Sequence, residues 1–142
     1  MVEIITNSPD ETIALGKKTA SKVCAGSIIA ITGTLGSGKT CFSKGIALGL
    51  GINENITSPT YTIINEYKRD GCPALYHIDA YRLNCDKDFE DIGGIDVLNS
   101  GGISIIEWSE RIPNSIPKEA IFITIEIKDE NSRTIKIKGL DL

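Results

Sequence analysis

The chain has 142 residues, of which 41% are hydrophobic, and it carries a formal net charge of −4. This length and hydrophobic content predict a single domain over residues 1–142 with one buried sheet core. The acidic balance, with a pI near 5.0, gives no indication of a basic face for nucleic acid and argues against direct tRNA binding, so any contact with RNA is expected to go through a partner. The four cysteines lack metal-ligand spacing, and neither a secretory leader nor a membrane-spanning apolar run is found, which favours a reduced, cytoplasmic protein without membrane attachment.

The predicted elements begin with a short strand over 2–5 and a helix that runs from Ser8 to about Cys24. Ser8 supplies a polar N-cap, Pro9 fits the first turn and acidic residues follow, which together are typical of a helix start. Apolar or alternating runs predict further strands over 27–32, 61–67, 74–79, 103–108, 120–128 and 134–138, and helices over 41–48 and 86–92. The short turn at 69–71 favours an antiparallel pairing of the strands on either side of it.

The order of these elements predicts a three-layer α/β domain with a mixed sheet. Strands around the first glycine-rich loop are expected to be parallel, antiparallel strands to extend the sheet at its edges, and helices to cover both faces. In such sheets the ligand lies at the carboxyl ends of the parallel strands.

The most informative segment is Gly33–Thr40, which fits the phosphate-loop pattern G-x-x-x-x-G-K-[ST]. A predicted buried strand precedes it and a predicted helix follows it, as the pattern requires. Glycines without a Cβ let consecutive backbone N–H groups turn toward phosphates, and the N-terminus of the following helix adds positive potential. An ordinary glycine-rich turn is the alternative, but the flanking elements favour a nucleoside triphosphate site. With this segment, the expected three-layer domain has the P-loop nucleoside triphosphate hydrolase fold.

Four side chains are candidates for the chemistry of this site. Lys39 supplies a full positive charge for the outer phosphates, and Thr40 can present its hydroxyl to magnesium. The metal also needs a carboxylate, and Asp79 and Glu107 each end a predicted strand beside the loop. Either acid alone is equally compatible with a residue that marks where a strand meets water. Together with the loop, at least one of them is expected to contact magnesium or its water shell.

Other features leave alternatives open. The segment 58–61, Ser-Pro-Thr-Tyr, is either a nucleotide-sensing loop or a simple proline turn. His77, the only histidine, is expected to be packed or hydrogen-bonded rather than to act as a base. Arg82 could reach a phosphate or an acid of a partner, although an exposed surface arginine fits better. Trp108, the only tryptophan, is either a core residue or a reporter of the adjacent Glu107.

Taken together, these segments resemble the TsaE family, also called YjeE, the small ATPases of the bacterial pathway that forms threonylcarbamoyladenosine next to the tRNA anticodon. The resemblance extends nearly from end to end. It is carried by Pro9-Asp10-Glu11, Gly33 to Thr40, Thr57-Ser58-Pro59-Thr60-Tyr61, His77-Ile78-Asp79-Ala80-Tyr81-Arg82-Leu83 and Glu107-Trp108, in the family's order. The Asp-x-Tyr-Arg-Leu and Glu-Trp segments are more specific than the phosphate loop, which many families share.

The resemblance implies a role for each matching residue. Thr40 and Glu107 would hold Mg²⁺, Asp79 and Lys39 would act in hydrolysis, and the loop at 58–61 would act as a switch. The nucleotide, ATP or ADP, would be bound by Glu11, Gly36, Ser37, Gly38, Lys39, Thr40, Cys41 and Arg133. No catalytic role is assigned to Arg111, because the stretch after the Glu-Trp pair varies within the family.

The resemblance further implies partners. ATP hydrolysis would reset a threonylcarbamoyl transferase complex of the TsaD and TsaB proteins between turnovers, and tRNA would be contacted only through that complex. Two other functions remain open. A small nucleoside or nucleotide kinase shares the phosphate loop but also needs an acceptor pocket and an arginine-rich lid, whereas residues 93–142 are mostly strands with scattered charges. A nucleotide-gated scaffold would bind nucleotide without useful turnover.

Overall fold

A computed structural model describes residues 1–34, 36–54, 56 and 63–142 of the chain. The strands are β1 (Val2–Thr6), β2 (Ile28–Gly33), β3 (Ile64–Arg69), β4 (Cys72–Asp79), β5 (Ile103–Glu107), β6 (Ile121–Ile127) and β7 (Arg133–Lys138). The helices are α1 (Pro9–Ala20), α2 (Lys39–Gly49), α3 (Asp86–Asp91) and α4 (Gly94–Leu98), and short 3-10 helices cover Ser109–Arg111 and Pro113–Ser115. No helix in these ranges is long and apolar enough to cross a membrane.

The strands form one sheet in the order β1-β7-β6-β2-β5-β4-β3. β2 pairs in parallel with β5 and β6, and β4 pairs in parallel with β5, so the centre of the sheet is parallel. β3 is antiparallel to β4 at one edge, and β7 is antiparallel to both β6 and β1 at the other. The predicted mixed sheet, with a parallel centre and antiparallel edges, is therefore confirmed. The carboxyl ends of β2, β5 and β4 lie side by side.

Two apolar cores fill the space between the sheet and the helices on its faces. The core beneath α1 and α2 includes Leu15, Phe42, Ile46, Ile29, Ile105 and Ile123. The core on the other face, beneath α3 and α4, includes Phe89, Leu98, Ile78, Ile106 and Ile112. Ile105 and Ile106 of β5 belong to opposite cores because side chains alternate along a strand, and every residue of this central strand is buried. The result is a three-layer α/β domain.

Close contact between α1 and α2 fixes the helix that follows the phosphate loop. The two helices cross where Gly16 faces Gly45, and a Cβ built on either glycine would lie 2.9 Å from the Cα of the other. That distance is shorter than Cβ contacts in real proteins, so only glycine permits the observed separation. Two small residues thereby place α2 firmly against α1 and the sheet.

The structure differs from the sequence-based expectation at the end of α1. The predicted helix ran to about Cys24, but α1 ends at Ala20. The hydroxyl of Ser21 donates to the carbonyl of Lys18 at 2.6 Å, and the backbone N–H groups of Cys24 and Ser27 donate to the Ser27 hydroxyl and the Cys24 carbonyl, which forms a local turn. Polar side chains that bond to nearby backbone compete with helix continuation, so local turn chemistry ends the helix early.

A second difference is α4, which was not predicted. Gly93 and Gly94 were interpreted as the end of a single acidic helix over 86–92. Gly93, with φ of 82°, does break the helix, but Gly94 begins a new one. The ring of Phe89 lies where a side chain on Gly94 would be, so the second glycine serves packing rather than termination.

Candidate functional site

The segment that fits the phosphate pattern leads from β2 into the N-terminus of α2. Gly36 and Gly38 have φ of 78° and 105°, a left-handed conformation that side chains rarely adopt. Gly38 is the N-cap of α2 and provides no side-chain cap, so no side chain of the cap residue covers the end of the helix where backbone N–H groups lack intrahelical partners. The positive end of the helix dipole lies at the same place. This arrangement suits a phosphate group.

Lys39 is buried, with 5% of its surface exposed. Its ammonium donates to the carbonyls of Gly33 at 2.5 Å and Thr34 at 2.9 Å, and it lies 4.2 Å from the centroid of the Trp108 ring. Burial lowers the pKa of Lys39 from its ordinary value, and the nearby Glu107 opposes that shift most strongly. The loop itself thus positions a cation beside the first turn of α2.

Glu107 ends β5 beneath α2, with 3% of its surface exposed. Thr40 donates to its Oε1 and Ser43 to its Oε2, each at 3.3 Å. The Nε2 atom of His77, on the neighbouring strand β4, is also hydrogen-bonded to Oε2. A buried carboxylate is costly unless its oxygens accept hydrogen bonds, and these donors satisfy that requirement.

Asp79 pairs with Glu107 across the register of β4 and β5. It is half-buried, and its Oδ1 accepts from the backbone N–H of Tyr81 at 3.0 Å. Burial raises the pKa of Asp79 above its ordinary value, and the charge of Glu107 adds to that rise. The Tyr81 N–H, His77 and Lys39 act in the opposite direction. Two carboxylates therefore stand next to each other at the carboxyl edge of the sheet.

These groups line one cleft of about 470 Å³. Its lining residues are Gly36, Ser37, Gly38, Lys39, Thr40, Cys41, Asp79, Tyr81, Glu107 and Trp108. Among the described residues, the structure thus brings together all the predicted catalytic, nucleotide-binding and metal-binding residues except Glu11 and Arg133, from three separate stretches of the chain.

Arg133 and Glu11 belong to the surroundings of the loop. A recess of about 260 Å³ adjoins the loop and is lined by Ser8, Pro9, Thr12, Gly36, Ser37, Gly38, Cys41, Glu130, Asn131 and Arg133. Arg133 donates to the carbonyls of Ser37 at 3.0 Å and Gly36 at 3.3 Å, so it holds the outer side of the loop. Glu11 is exposed and accepts from the backbone N–H of Asn7 at the start of α1; it is not among the residues that line the recess.

The rings of Trp108 and Tyr81 form one side of the cleft. Trp108 has φ of 60° and is the one non-glycine residue with positive φ in the described ranges, a conformation that costs roughly 1–2 kcal/mol. Its ring centroid lies 4.9 Å from that of Tyr81, and the exposed guanidinium of Arg111 lies 5.4 Å from the Tyr81 ring. Strain of this kind concentrates at functional sites. Arg82 is exposed, as expected.

Two residues of the Glu107 environment were not assigned to the site from sequence. Ser43 was overlooked, although its spacing of three residues from Thr40 places both hydroxyls on one side of α2. His77 was expected to be packed or hydrogen-bonded, and it is, but its partner was not identified. The predicted loop at 58–61 lies outside the described residues.

The donor set at this cleft fits magnesium. Thr40, Glu107 and Asp79 offer only oxygen atoms, which Mg²⁺ prefers. Within the described ranges, no group of three or more His, Cys, Asp or Glu side chains could hold a metal ion alone. Magnesium usually takes one or two protein ligands and completes its shell with phosphates and water, so the sparse donor set suits a metal that arrives with a nucleotide.

Comparisons with known proteins agree with the resemblance drawn from the sequence. The family model described as "Threonylcarbamoyl adenosine biosynthesis protein TsaE" matches residues 6–135. The tRNA threonylcarbamoyladenosine biosynthesis protein TsaE of Treponema pallidum (strain Nichols) is 38% identical over 133 residues, covering 94% of this chain and 97% of the relative. The protein of the same name from Bacillus subtilis (strain 168) is 40% identical over 130 residues, covering 92% of this chain and 80% of the relative.

A solved structure agrees as well. The crystal structure titled "Crystal structure of Bacillus subtilus YdiB" superposes with a TM-score of 0.76 at 36% identity, covering 96% of this chain and 83% of that one. Fold and cleft together define a mixed α/β protein with a glycine-rich loop at the carboxyl ends of its parallel strands. The chain belongs to the TsaE family, which takes part in tRNA threonylcarbamoyladenosine biosynthesis.

Proposed function

We propose that the protein is a P-loop ATPase that binds ATP with Mg²⁺ in the cleft and hydrolyses it in support of tRNA threonylcarbamoyladenosine formation. The proposal rests mainly on one observation. Four side chains lie together around the N-terminus of α2: Lys39, Thr40, Asp79 and Glu107. Phosphoryl transfer depends mainly on positioning and on stabilising negative charge, and these are the groups that such a site needs.

Binding is divided between two adjoining spaces. Phosphates would lie in the cleft against the N–H groups of Gly36 to Thr40, with Lys39 exchanging its backbone carbonyl partners for phosphate oxygens. The nucleoside would occupy the recess beside Cys41 and Arg133, which shares the loop glycines with the cleft. ADP would keep most of these contacts, because the recess and the first turn of α2 do not depend on the last phosphate.

Each of the cleft residues would have a separate role in hydrolysis. Magnesium, when bound, neutralises phosphate charge, and Thr40 and Glu107 would hold it. Lys39 would stabilise the outer phosphates, and Asp79 would act in hydrolysis beside the metal. Burial raises the pKa of Asp79, which makes its carboxylate a stronger acceptor for a hydrogen bond from water whenever it is ionised. Tyr81 and Trp108 would screen this side of the cleft from bulk water.

In the pathway, hydrolysis would reset a complex of TsaD and TsaB between threonylcarbamoyl transfers. The protein's net charge of −4 supports contact with tRNA through those partners rather than directly. The fold and the family both support this place in the pathway, and the cleft supports nucleotide turnover as the contribution of this chain.

Reconstituted tRNA modification tests the proposal. Lys39→Ala and Glu107→Ala should each abolish formation of threonylcarbamoyladenosine with TsaD, TsaB and this chain present. The first variant removes the charge that faces the outer phosphates, and the second removes a magnesium ligand. Lys136→Ala, on β7 at an exposed ion pair with Glu126, is the matched control and should keep full activity.

Phosphate measurements separate the alternatives. The proposed ATPase releases inorganic phosphate in the presence of its partners, a kinase transfers phosphate to a nucleoside or nucleotide, and a scaffold supports modification without release. Full activity of Lys39→Ala or Glu107→Ala would contradict the site assignment, and modification without phosphate release would contradict hydrolysis.

A further inference from the structure

His77 lies beneath the cleft and contacts Glu107, one of its two carboxylates. It is fully buried on β4 and does not line the cleft. Its Nε2 atom is hydrogen-bonded to Oε2 of Glu107, while its Nδ1 atom has no hydrogen-bond partner in the described part of the chain. Because Glu107 accepts, the imidazole proton is assigned to Nε2.

Oε2 of Glu107 also accepts from Ser43, which is buried on α2. The same oxygen is therefore held from two sides, by a strand of the sheet and by the helix above it. Oε1, in contrast, accepts from Thr40, the residue at which the phosphate pattern expects the metal. Hydrogen bonds on one oxygen fix the rotation of the carboxylate, and so they fix the direction in which the other oxygen points.

The two oxygens of Glu107 thus meet different groups. In the described ranges, no lysine or arginine lies within ion-pair distance of Glu107, although Lys39 is near enough for the two charges to interact. His77 and Ser43 contact the carboxylate only at Oε2, so they leave Oε1 to Thr40 and to an incoming metal.

We propose that His77 and Ser43 are positioning residues that hold Oε2 of Glu107, so that Oε1 stays beside Thr40 and is directed at magnesium. This inference rests on the proposed function, since it assigns the two residues to the metal side of that site. They act through Glu107 and touch neither nucleotide nor metal. Removing either should weaken metal binding selectively, while the contacts of the loop with nucleotide remain.

The test measures metal and nucleotide affinities separately on the full chain. Mn²⁺ replaces Mg²⁺, and its binding in the presence of ADP is followed by electron paramagnetic resonance; ADP binding in EDTA is followed by calorimetry. His77→Leu fills the buried space without a donor and should weaken Mn²⁺ binding by about 10–100-fold. Its ADP affinity in EDTA should equal that of the wild type.

A conservative variant distinguishes positioning from simple packing. His77→Gln places an amide N–H near the position of Nε2 and should restore much of the Mn²⁺ affinity that His77→Leu loses. Ser43→Ala should show a smaller selective loss and covers the case in which His77→Leu does not fold. Ser104→Ala is the matched control, because Ser104 is buried on β5, three residues before Glu107, and its hydroxyl has no hydrogen-bond partner in the described part of the chain. It should leave Mn²⁺ affinity unchanged.

Glu107→Gln separates this inference from the proposed function. If it binds Mn²⁺ as tightly as the wild type, the metal site itself is wrongly assigned. If it loses Mn²⁺ while folded His77→Leu and Ser43→Ala retain wild-type affinity, the positioning role is overturned and the metal site stands. An equal loss of Mn²⁺ and metal-free ADP binding in these variants would also overturn it, because that pattern indicates general disruption.

Discussion

The carboxyl of Asp79 lies in the cleft, and this position lowers the stability of the folded protein. The carboxyl is half-buried next to Glu107, and burial raises its pKa above the ordinary 3.8. A raised pKa means that the folded state binds the proton more tightly than the unfolded chain does. The resulting stabilisation is fully present below the ordinary pKa and is lost as the pH rises through the raised one. Above the ordinary pKa the Asp79 carboxyl therefore opposes folding.

We predict that Asp79→Asn raises the Tm at pH 7. The amide oxygen can still accept from the N–H of Tyr81, while the desolvated charge is gone. The gain should shrink as the pH falls toward 3.8, measured by circular dichroism melting across a pH series. Asp141→Asn, an exposed change near the carboxyl terminus, should leave the Tm nearly constant throughout. A lower Tm for Asp79→Asn at pH 7 would show that the carboxylate stabilises the fold.

Trp108 should report nucleotide binding by fluorescence. As the only tryptophan, it emits from one place, and its ring lies 4.2 Å from the ammonium of Lys39. Phosphates that draw Lys39 toward them would change the surroundings of the indole, so ATP with Mg²⁺ should shift the emission saturably. Lys39→Ala should alter the starting spectrum and weaken the response, whereas Tyr81→Phe keeps the ring contact and should respond normally. A flat titration in protein that binds ATP by calorimetry would refute this prediction.

The principal cleft residues could be found from sequence because their positions follow from local rules. Lys39 and Thr40 belong to a fixed pattern, and Asp79 and Glu107 end strands whose carboxyl ends meet at one edge. The link between His77 and Glu107 depends on how β4 and β5 align, which no local pattern records. The same holds for Ser43, whose contact requires the rotation of α2 above the sheet.

At the scale of elements, the crossing of α1 and α2 is the most constrained contact. We predict that Gly45→Ala destabilises the fold by about 1–3 kcal/mol, because overpacking outweighs the helix propensity gained. The new methyl would lie 2.9 Å from the Cα of Gly16, which is backbone and cannot turn away. Urea unfolding should show a lower midpoint.

Leu48→Ala provides the control for Gly45→Ala. Leu48 lies on the same helix with 45% of its surface exposed, so truncation there should change the free energy of unfolding by less than about 0.5 kcal/mol. Equal stability of Gly45→Ala and the wild type would mean that the two helices can separate without cost.

Element boundaries were less predictable than element types. Strands of β-branched residues and the helix after the phosphate loop follow from periodicity. The early end of α1 depends on Ser21 bonding to Lys18, and the start of α4 depends on the ring of Phe89 against Gly94. Both are contacts that propensity does not encode. Alternating patterns likewise predicted β6 and β7 as strands, but not which edge of the sheet they would join.

At the scale of the whole molecule, the positions of the lysine and arginine side chains determine how much phosphate charge the isolated chain could stabilise. The cleft contains Lys39, and none of its lining residues in the described ranges is an arginine. Arg133 is hydrogen-bonded to the outer side of the loop, and Arg111 is exposed beside the ring of Tyr81. In many such sites, a partner protein supplies an arginine that further stabilises the negative charge of the transition state of phosphoryl transfer. If the proposed function is right, the isolated chain is therefore expected to bind nucleotide more readily than it hydrolyses it.

We predict that the isolated chain hydrolyses ATP far more slowly than the same chain with TsaD and TsaB. A partner that completes the charge around the outer phosphates should raise kcat by at least about tenfold, within the larger gains known for supplied arginines. Phosphate release is measured with and without the partners at fixed ionic strength, and Lys39→Ala with partners gives the background rate. Because ADP affinity depends on the loop and recess, it should change much less than kcat on addition of the partners. Equal rates with and without TsaD and TsaB would show that the cleft is complete in the isolated chain.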